Sequence, residues 1–166
     1  MTGRNLTIEE IIEMAIGIER SGEAFYSGLK ELAAPGEVRD TFSTLESDER
    51  RHIRDFEKIL QEALARRGGL AYTGSEEELL YLRAFANHAV LASPDQAARR
   101  AAALRDAVQG IDLALDLEFR SVAFYQDMAR IIEDPKDLSS VREIERQERD
   151  HAAKLYRLRE KAAGSR

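Results

Sequence analysis

The stretch Glu49-Arg-Arg-His52 lies in the middle of an apolar stripe, with Val38, Phe42 and Leu45 before it and Phe56, Ile59 and Ala63 after it, at alternating steps of four and three residues. That spacing puts all eight positions on one face of a helix, the face that packs against neighbouring helices in a bundle. A carboxylate and an imidazole stacked on such a face are costly to desolvate unless something pairs with them. A metal ion is the natural partner. The feature occurs twice: Glu148 and His151 stand 99 residues after Glu49 and His52, within Val141, Ile144, Leu155, Leu158 and Ala162 at the same steps. One Glu-x-x-His on a charged helix arises by chance, whereas a repeated one with its surrounding seam points to an internal duplication.

The duplication requires two further seams at the same offset, and both are present. Ile8, Ile12, Ala15, Glu19, Gly22, Tyr26, Leu29 and Ala33 correspond position by position to Ala107, Ile111, Ala114, Glu118, Ser121, Tyr125, Met128 and Ile132. Each carries one glutamate in mid-seam and a Phe-Tyr pair beyond it, Phe25-Tyr26 and Phe124-Tyr125. The chain therefore reads as two helical hairpins, each offering a lone glutamate from its first helix and a Glu-x-x-His from its second.

The six residues Glu19, Glu49, His52, Glu118, Glu148 and His151 match the ligand pattern of di-metal carboxylate bundles. With Ala15-Ile-Gly-Ile-Glu19-Arg-Ser-Gly-Glu-Ala-Phe25-Tyr26, Glu49-Arg-Arg-His52 and their repeats, the chain resembles the rubrerythrin branch of the ferritin-like superfamily over all four long helices. The resemblance implies an all-α, ferritin-like four-helix bundle and two iron ions per chain, with manganese or zinc as alternatives. It also implies Glu49 and Glu148 as bridging ligands, Glu19 and Glu118 as terminal ones, and one histidine on each ion. Carboxylate and imidazole donors by themselves suit iron, manganese or zinc equally.

The 166 residues suffice for one domain whose core needs both halves to close. We place hairpin 1 at about 7–67, a crossover at about 68–98 and hairpin 2 at about 99–163. The absence of cysteine excludes disulfides, thiolate catalysis and any iron–sulfur or rubredoxin-type centre within the chain. The rubredoxin domain typical of rubrerythrins is thus missing, and electrons are expected from a separate electron-transfer protein. A net charge of −6, with arginines interspersed among acidic residues, argues against nucleic acid as a partner. Met1 to Asn5 has no apolar leader and no apolar run approaches a membrane span, so a soluble, cytoplasmic protein without membrane contact is expected.

Along the chain, Thr7 and Glu10 form a capping box for a helix that Pro35-Gly36 ends. The next runs from about Glu37 to Arg67, where Gly68-Gly69 stops it. Ser75 caps a short helix in the crossover, and Ser93-Pro94-Asp95 starts another helical segment. Asp134-Pro135 is the turn of the second hairpin. The second and third long helices must lie parallel for the four glutamates to meet at one level, so the crossover has to run the length of the bundle.

Tyr26 and Tyr125 follow Glu19 and Glu118 by seven residues on the same face. Each hydroxyl is a candidate to hydrogen-bond a ligand or an oxygen species, and they are the candidate catalytic residues beside the reading as ordinary core tyrosines. Gly22 and Ser121 face inward one turn past the lone glutamates, where their small side chains leave room for dioxygen or peroxide. Rubrerythrins usually have an extra glutamate at the position of Ser121, so its absence makes the two metal positions nearly symmetric and closer to a bacterioferritin-type pattern. The second helix has no methionine for haem. His88 reads as structural, Glu23 as a flank residue, and Glu46 and Glu145 as exposed residues or acceptors behind the ligands.

The leading expectation is a di-iron redox protein that reacts with hydrogen peroxide or dioxygen. Its rivals are a ferroxidase that handles iron, a metal-stapled bundle without catalysis, and an oxygenase of an organic substrate. A homodimer is the assembly implied by resemblance.

Overall fold

A computed structural model describes residues 7–66, 72–88 and 93–164. Six helices occur among them: α1 (Ile8–Leu32), α2 (Glu37–Ala65), α3 (Glu76–Asn87), α4 (Pro94–Ala102), α5 (Ala107–Ile131) and α6 (Pro135–Gly164). Local chemistry sets most of their ends. The Thr7 hydroxyl accepts from the Glu10 amide while the Glu10 carboxylate accepts from the Thr7 amide, and Ser75 and Glu78 do the same for α3. Ser93 caps α4 ahead of Pro94, and Asp106 caps α5. Gly36 starts α2 with φ at 134°, a conformation that side chains disfavour. The expected stop at Gly68-Gly69 lies outside the described residues.

The four long helices form the all-α ferritin-like bundle, and its core falls into two clusters on either side of the six seam residues. One contains the N-terminal half of α1, the C-terminal halves of α2 and α5 and the start of α6, with Ile12, Phe56, Phe124 and Ile144 among its members. The other contains the opposite halves, with Phe25, Phe42, Ile111 and Leu155. This distribution makes α1 and α6 run one way and α2 and α5 the other, the parallel arrangement that convergence of the glutamates demands.

The crossover differs in one respect from the expected layout. The helix begun at Ser93-Pro94 does not lead into the second hairpin near residue 99. It ends at Ala102, and α5 opens afresh at Ala107 because the Asp106 carboxylate accepts from the Gln109 amide. The crossover thus holds two short helices rather than one. α3 buries Leu79 and Leu82 in the first cluster, and α4 buries Ala97 and Ala101 in the second, so the crossover serves both ends of the bundle. Before α3, the Thr73 amide donates to the Ile131 carbonyl at 2.9 Å, tying the chain to the end of α5.

At the position repeating Val38 the chain has Asp137, which is 1% exposed and accepts from Arg66, the residue just past the end of α2, at 2.6 Å. The two hairpin ends are therefore joined by an ion pair where an apolar contact would continue the seam.

Candidate metal centre

All six seam residues face one another in the gap between the two core clusters, and none is more than 4% exposed. They form two overlapping groups: Glu19, Glu49, His52 and Glu148, and Glu49, Glu118, Glu148 and His151. Within each group one donor atom per residue lies within 4.8 Å of the others. Glu49 and Glu148 belong to both groups, while each lone glutamate and each histidine belongs to one.

The histidines are held with one nitrogen inward. His52 Nδ1 lies 2.7 Å from Glu148 Oε1 and 3.2 Å from Glu19 Oε2, and His151 Nδ1 lies 3.5 to 3.7 Å from Glu49, Glu118 and Glu148. The opposite nitrogens find acceptors on the far side: His52 Nε2 donates to Gln147 Oε1 and His151 Nε2 to Asp48 Oδ2, both at 3.1 Å. A proton committed to Nε2 leaves the Nδ1 lone pair for a cation. The two rings stack with centroids 5.5 Å apart.

Both tyrosines reach across the bundle. Tyr26 of α1 donates to Glu118 of α5, and Tyr125 of α5 donates to Glu19 of α1. Each pins the lone glutamate of the other hairpin, a crossing that periodicity along one helix does not show. Burial, followed by the adjacent glutamate charge, raises both phenols well above their ordinary value, so they remain hydrogen-bond donors.

The electrostatics are those of a site lacking enough positive charge. Burial, then the charges of Glu148 and Glu19, raises the Glu49 carboxyl well above its usual range, and burial with Glu148 does the same to Glu118. Burial would likewise raise Glu148, but its closeness to Glu118 and the two histidines holds it low. His52 would be lowered by burial, yet Glu148 and Glu19 hold it up to about 11, and Asp48 with the glutamates raises His151 too. Glu49 Oε1, Glu118 Oε2 and His151 Nδ1 are buried without a hydrogen-bond partner, and the close polar contact of Glu148 Oε1 is His52 Nδ1 at 2.7 Å. Buried polar atoms are rarely left without partners, and several converging on one point are what a pair of divalent cations would satisfy.

A pH dependence follows. Because His52 holds its extra proton up to about 11, a metal ion must displace it at neutral pH, and the raised Glu49 and Glu118 carboxyls act in the same direction. Metal binding is expected to release protons and to weaken as pH falls. Calorimetric titrations in buffers of differing ionisation enthalpy measure the number released, and zero release at neutral pH would contradict this charge balance.

A cavity of about 40 Å³ opens beside the centre, lined by Gly22, Ser121, Tyr26, Leu117 and Phe85 and reaching Glu49, Glu118 and Glu148. A Cβ on Gly22 would lie 2.6 Å from Glu49 Oε2, so a larger residue there would press on that carboxylate. Phe85 comes from the crossover helix α3, which was not tied to the site by any sequence motif. The two tyrosines are unequal in this respect: Tyr26 lines the cavity, whereas Tyr125 is packed on Phe56, with ring centroids 5.2 Å apart.

The remaining candidates fall outside the centre. Exposed His88 ends α3, and Glu23 pairs with Arg50 at 2.7 Å on the flank. Glu46 is neither exposed nor behind a ligand; it is 9% exposed and accepts from Lys30 at 2.5 Å and Arg50 at 3.0 Å. Glu145 is half-buried and pairs with Arg149. Asp48 and Gln147 lie one position off the seam, so periodicity does not select them. The available signal was that they are repeat partners, each immediately preceding a shared glutamate.

A bundle of this topology with carboxylates and imidazoles turned inward at mid-height has the ferritin-like fold. Two solved structures share it. One is a Thermotoga maritima protein assigned to the ferritin-like diiron-carboxylate class, with a TM-score of 0.69 and 22% identity over 96% of this chain and 98% of that one. The other is a two-domain protein from Anabaena variabilis with DJ-1/ThiJ/PfpI-like and ferritin-like domains. It has a TM-score of 0.66 and 18% identity over 93% of this chain and 39% of that one. Neither a protein-family model nor a curated protein matches the sequence. Among the described residues, no helix is long and apolar enough to cross a membrane.

Proposed function

We propose that this chain is a di-iron carboxylate redox protein that reacts with hydrogen peroxide or dioxygen and is re-reduced by a separate electron-transfer protein. The observation that carries the reading is the small cavity set directly against the two overlapping donor groups. The space beside the donor groups is large enough to admit a molecule the size of dioxygen or peroxide. Two divalent ions match the charge of the four glutamates, and the description of the Thermotoga protein as diiron-carboxylate favours iron.

Iron held here would supply the electrons for reducing an O–O bond. Glu49 and Glu148 would hold both ions, with Glu19 and His52 available to complete one position and Glu118 and His151 the other. Tyr125 fixes Glu19 from beneath Phe56. Tyr26 fixes Glu118 through its one hydroxyl proton and also lines the cavity. Leu117 and Phe85 limit the water that can accompany the oxidant.

The test is an anaerobic ferrous titration followed by rapid mixing with peroxide and, separately, with dioxygen, observed in the near-ultraviolet. Saturation at two irons per chain and faster oxidation by peroxide would support the rubrerythrin-like reading. Continued iron uptake with dioxygen would make the protein a ferroxidase, and no absorbance change with either oxidant would remove the redox role. Gly22→Ala is expected to press on Glu49 and narrow the cavity, slowing oxidation on the order of 10²-fold as an ångström-scale misplacement does. An unchanged rate in that variant would place the oxidant elsewhere.

A further inference from the structure

The two histidines are backed by different chemistry. Asp48 and Gln147 occupy repeat-equivalent positions 99 residues apart, each one residue before a shared glutamate. Each crosses to the histidine of the other hairpin: Asp48 Oδ2 accepts from His151 Nε2 and Gln147 Oε1 from His52 Nε2, at an identical 3.1 Å. The geometry is two-fold symmetric and the charge is not. The orientation of the Gln147 amide is set on both sides, since its oxygen accepts from Arg51 at 2.6 Å and its nitrogen donates to Glu143 at 2.9 Å. The other arm of the Arg51 guanidinium holds Asp48 at 3.0 Å, so one side chain braces both acceptors.

An anionic acceptor polarises an imidazole N–H more strongly than a neutral amide does, and it makes the opposite nitrogen a better donor to a metal. The remaining ligands do not offset this difference, because Glu49 and Glu148 serve both positions and each position has one lone glutamate with a tyrosine on it. We propose that the two metal positions are unequal by construction. The position holding His151 and Glu118, backed by Asp48, fills first and retains its ion; the position holding His52 and Glu19, backed by Gln147, fills second and exchanges with solution. Asp48 and Gln147 are positioning residues that act through the histidines. The inference rests on the reading of this centre as a di-metal site.

Stepwise filling alone would not establish the proposal, since two cations sharing ligands repel each other at any symmetric site. The discriminating experiment is an anaerobic Mn²⁺ titration of the full chain, with free ion followed by electron paramagnetic resonance and the fold by circular dichroism. Asp48→Asn keeps the shape and removes the charge. It is expected to weaken the first step about 10- to 100-fold, the usual effect of losing a partner behind a metal-bound histidine. Gln147→Asp is expected to leave the first step in place and tighten the second. Unchanged constants in either folded variant, or a loss in Asp48→Asn confined to the second step, would overturn the proposal. Wild-type protein that takes up no Mn²⁺ or Fe²⁺ would overturn the di-metal reading itself, a result distinct from two equal sites.

Discussion

Glu49→Ala is expected to abolish binding of both metal ions rather than one. Its carboxylate belongs to both donor groups, so its loss leaves Glu19, His52 and Glu148 on one side and Glu118, Glu148 and His151 on the other, with no second bridge between them. Glu148→Ala should do the same. Equilibrium binding of Mn²⁺ or Fe²⁺ under anaerobic conditions measures this, and two tightly held ions in either variant would refute a shared centre. The metal-free protein should respond in the opposite sense to Glu49→Gln. A carboxyl whose pKa is raised on folding costs stability at every pH above its ordinary value of about 4.5, and the neutral amide removes that cost. The gain should appear as a higher denaturation midpoint of the metal-free variant. Chemical denaturation with and without metal should therefore show a variant that is firmer when empty and indifferent to metal. The wild type should gain stability on loading, by about 2.7 kcal/mol at a free metal concentration a hundredfold above the dissociation constant.

Phe56→Ala is expected to be the most damaging of the apolar substitutions near the centre. The ring is completely buried between the centre and the first core cluster, and it packs on Tyr125, which in turn holds Glu19. Truncating such a ring costs about 3–5 kcal/mol, a large part of the roughly 5–15 kcal/mol that keeps a domain folded. The unfolding midpoint should drop by about 10 °C in a chain of this size. Phe119→Ala is the control: at 60% exposed, the same change should stay within about 0.5 kcal/mol. Phe56→Leu refills most of the volume, so a variant that recovers stability yet still binds metal poorly would show that Tyr125 needs the aromatic face. Thermal unfolding of the three metal-free variants separates packing loss from ligand loss.

Much of this arrangement is legible in the sequence. The 99-residue repeat named the six inward polar residues, because a seam stepping by three and four residues leaves little choice of face. Caps at Thr7, Ser75 and Ser93 were legible for a related reason: the hydrogen bonds that start a helix are made within four residues of sequence. The start of the second hairpin was not, since Arg99 to Ala103 has the composition of a helix and only the Asp106 cap shows that α4 and α5 are separate.

What stayed hidden depends on which helix faces which. Periodicity along α1 puts Tyr26 on the same face as Glu19, but its hydroxyl meets Glu118, and Tyr125 meets Glu19. Asp48 and Gln147 lie off the seam and become meaningful only when α2 and α6 sit side by side, each reaching the other's histidine. Phe85 joins the cavity because the crossover lays α3 across that end of the bundle. Repeat and periodicity are properties of one helix and its copy, so the sequence by itself determined the bundle, its hairpins and its inward polar set. Pairings between helices depend on their relative rotation and packing, so only the tertiary structure decided which tyrosine holds which carboxylate, what stands behind each histidine, and where an oxidant has room.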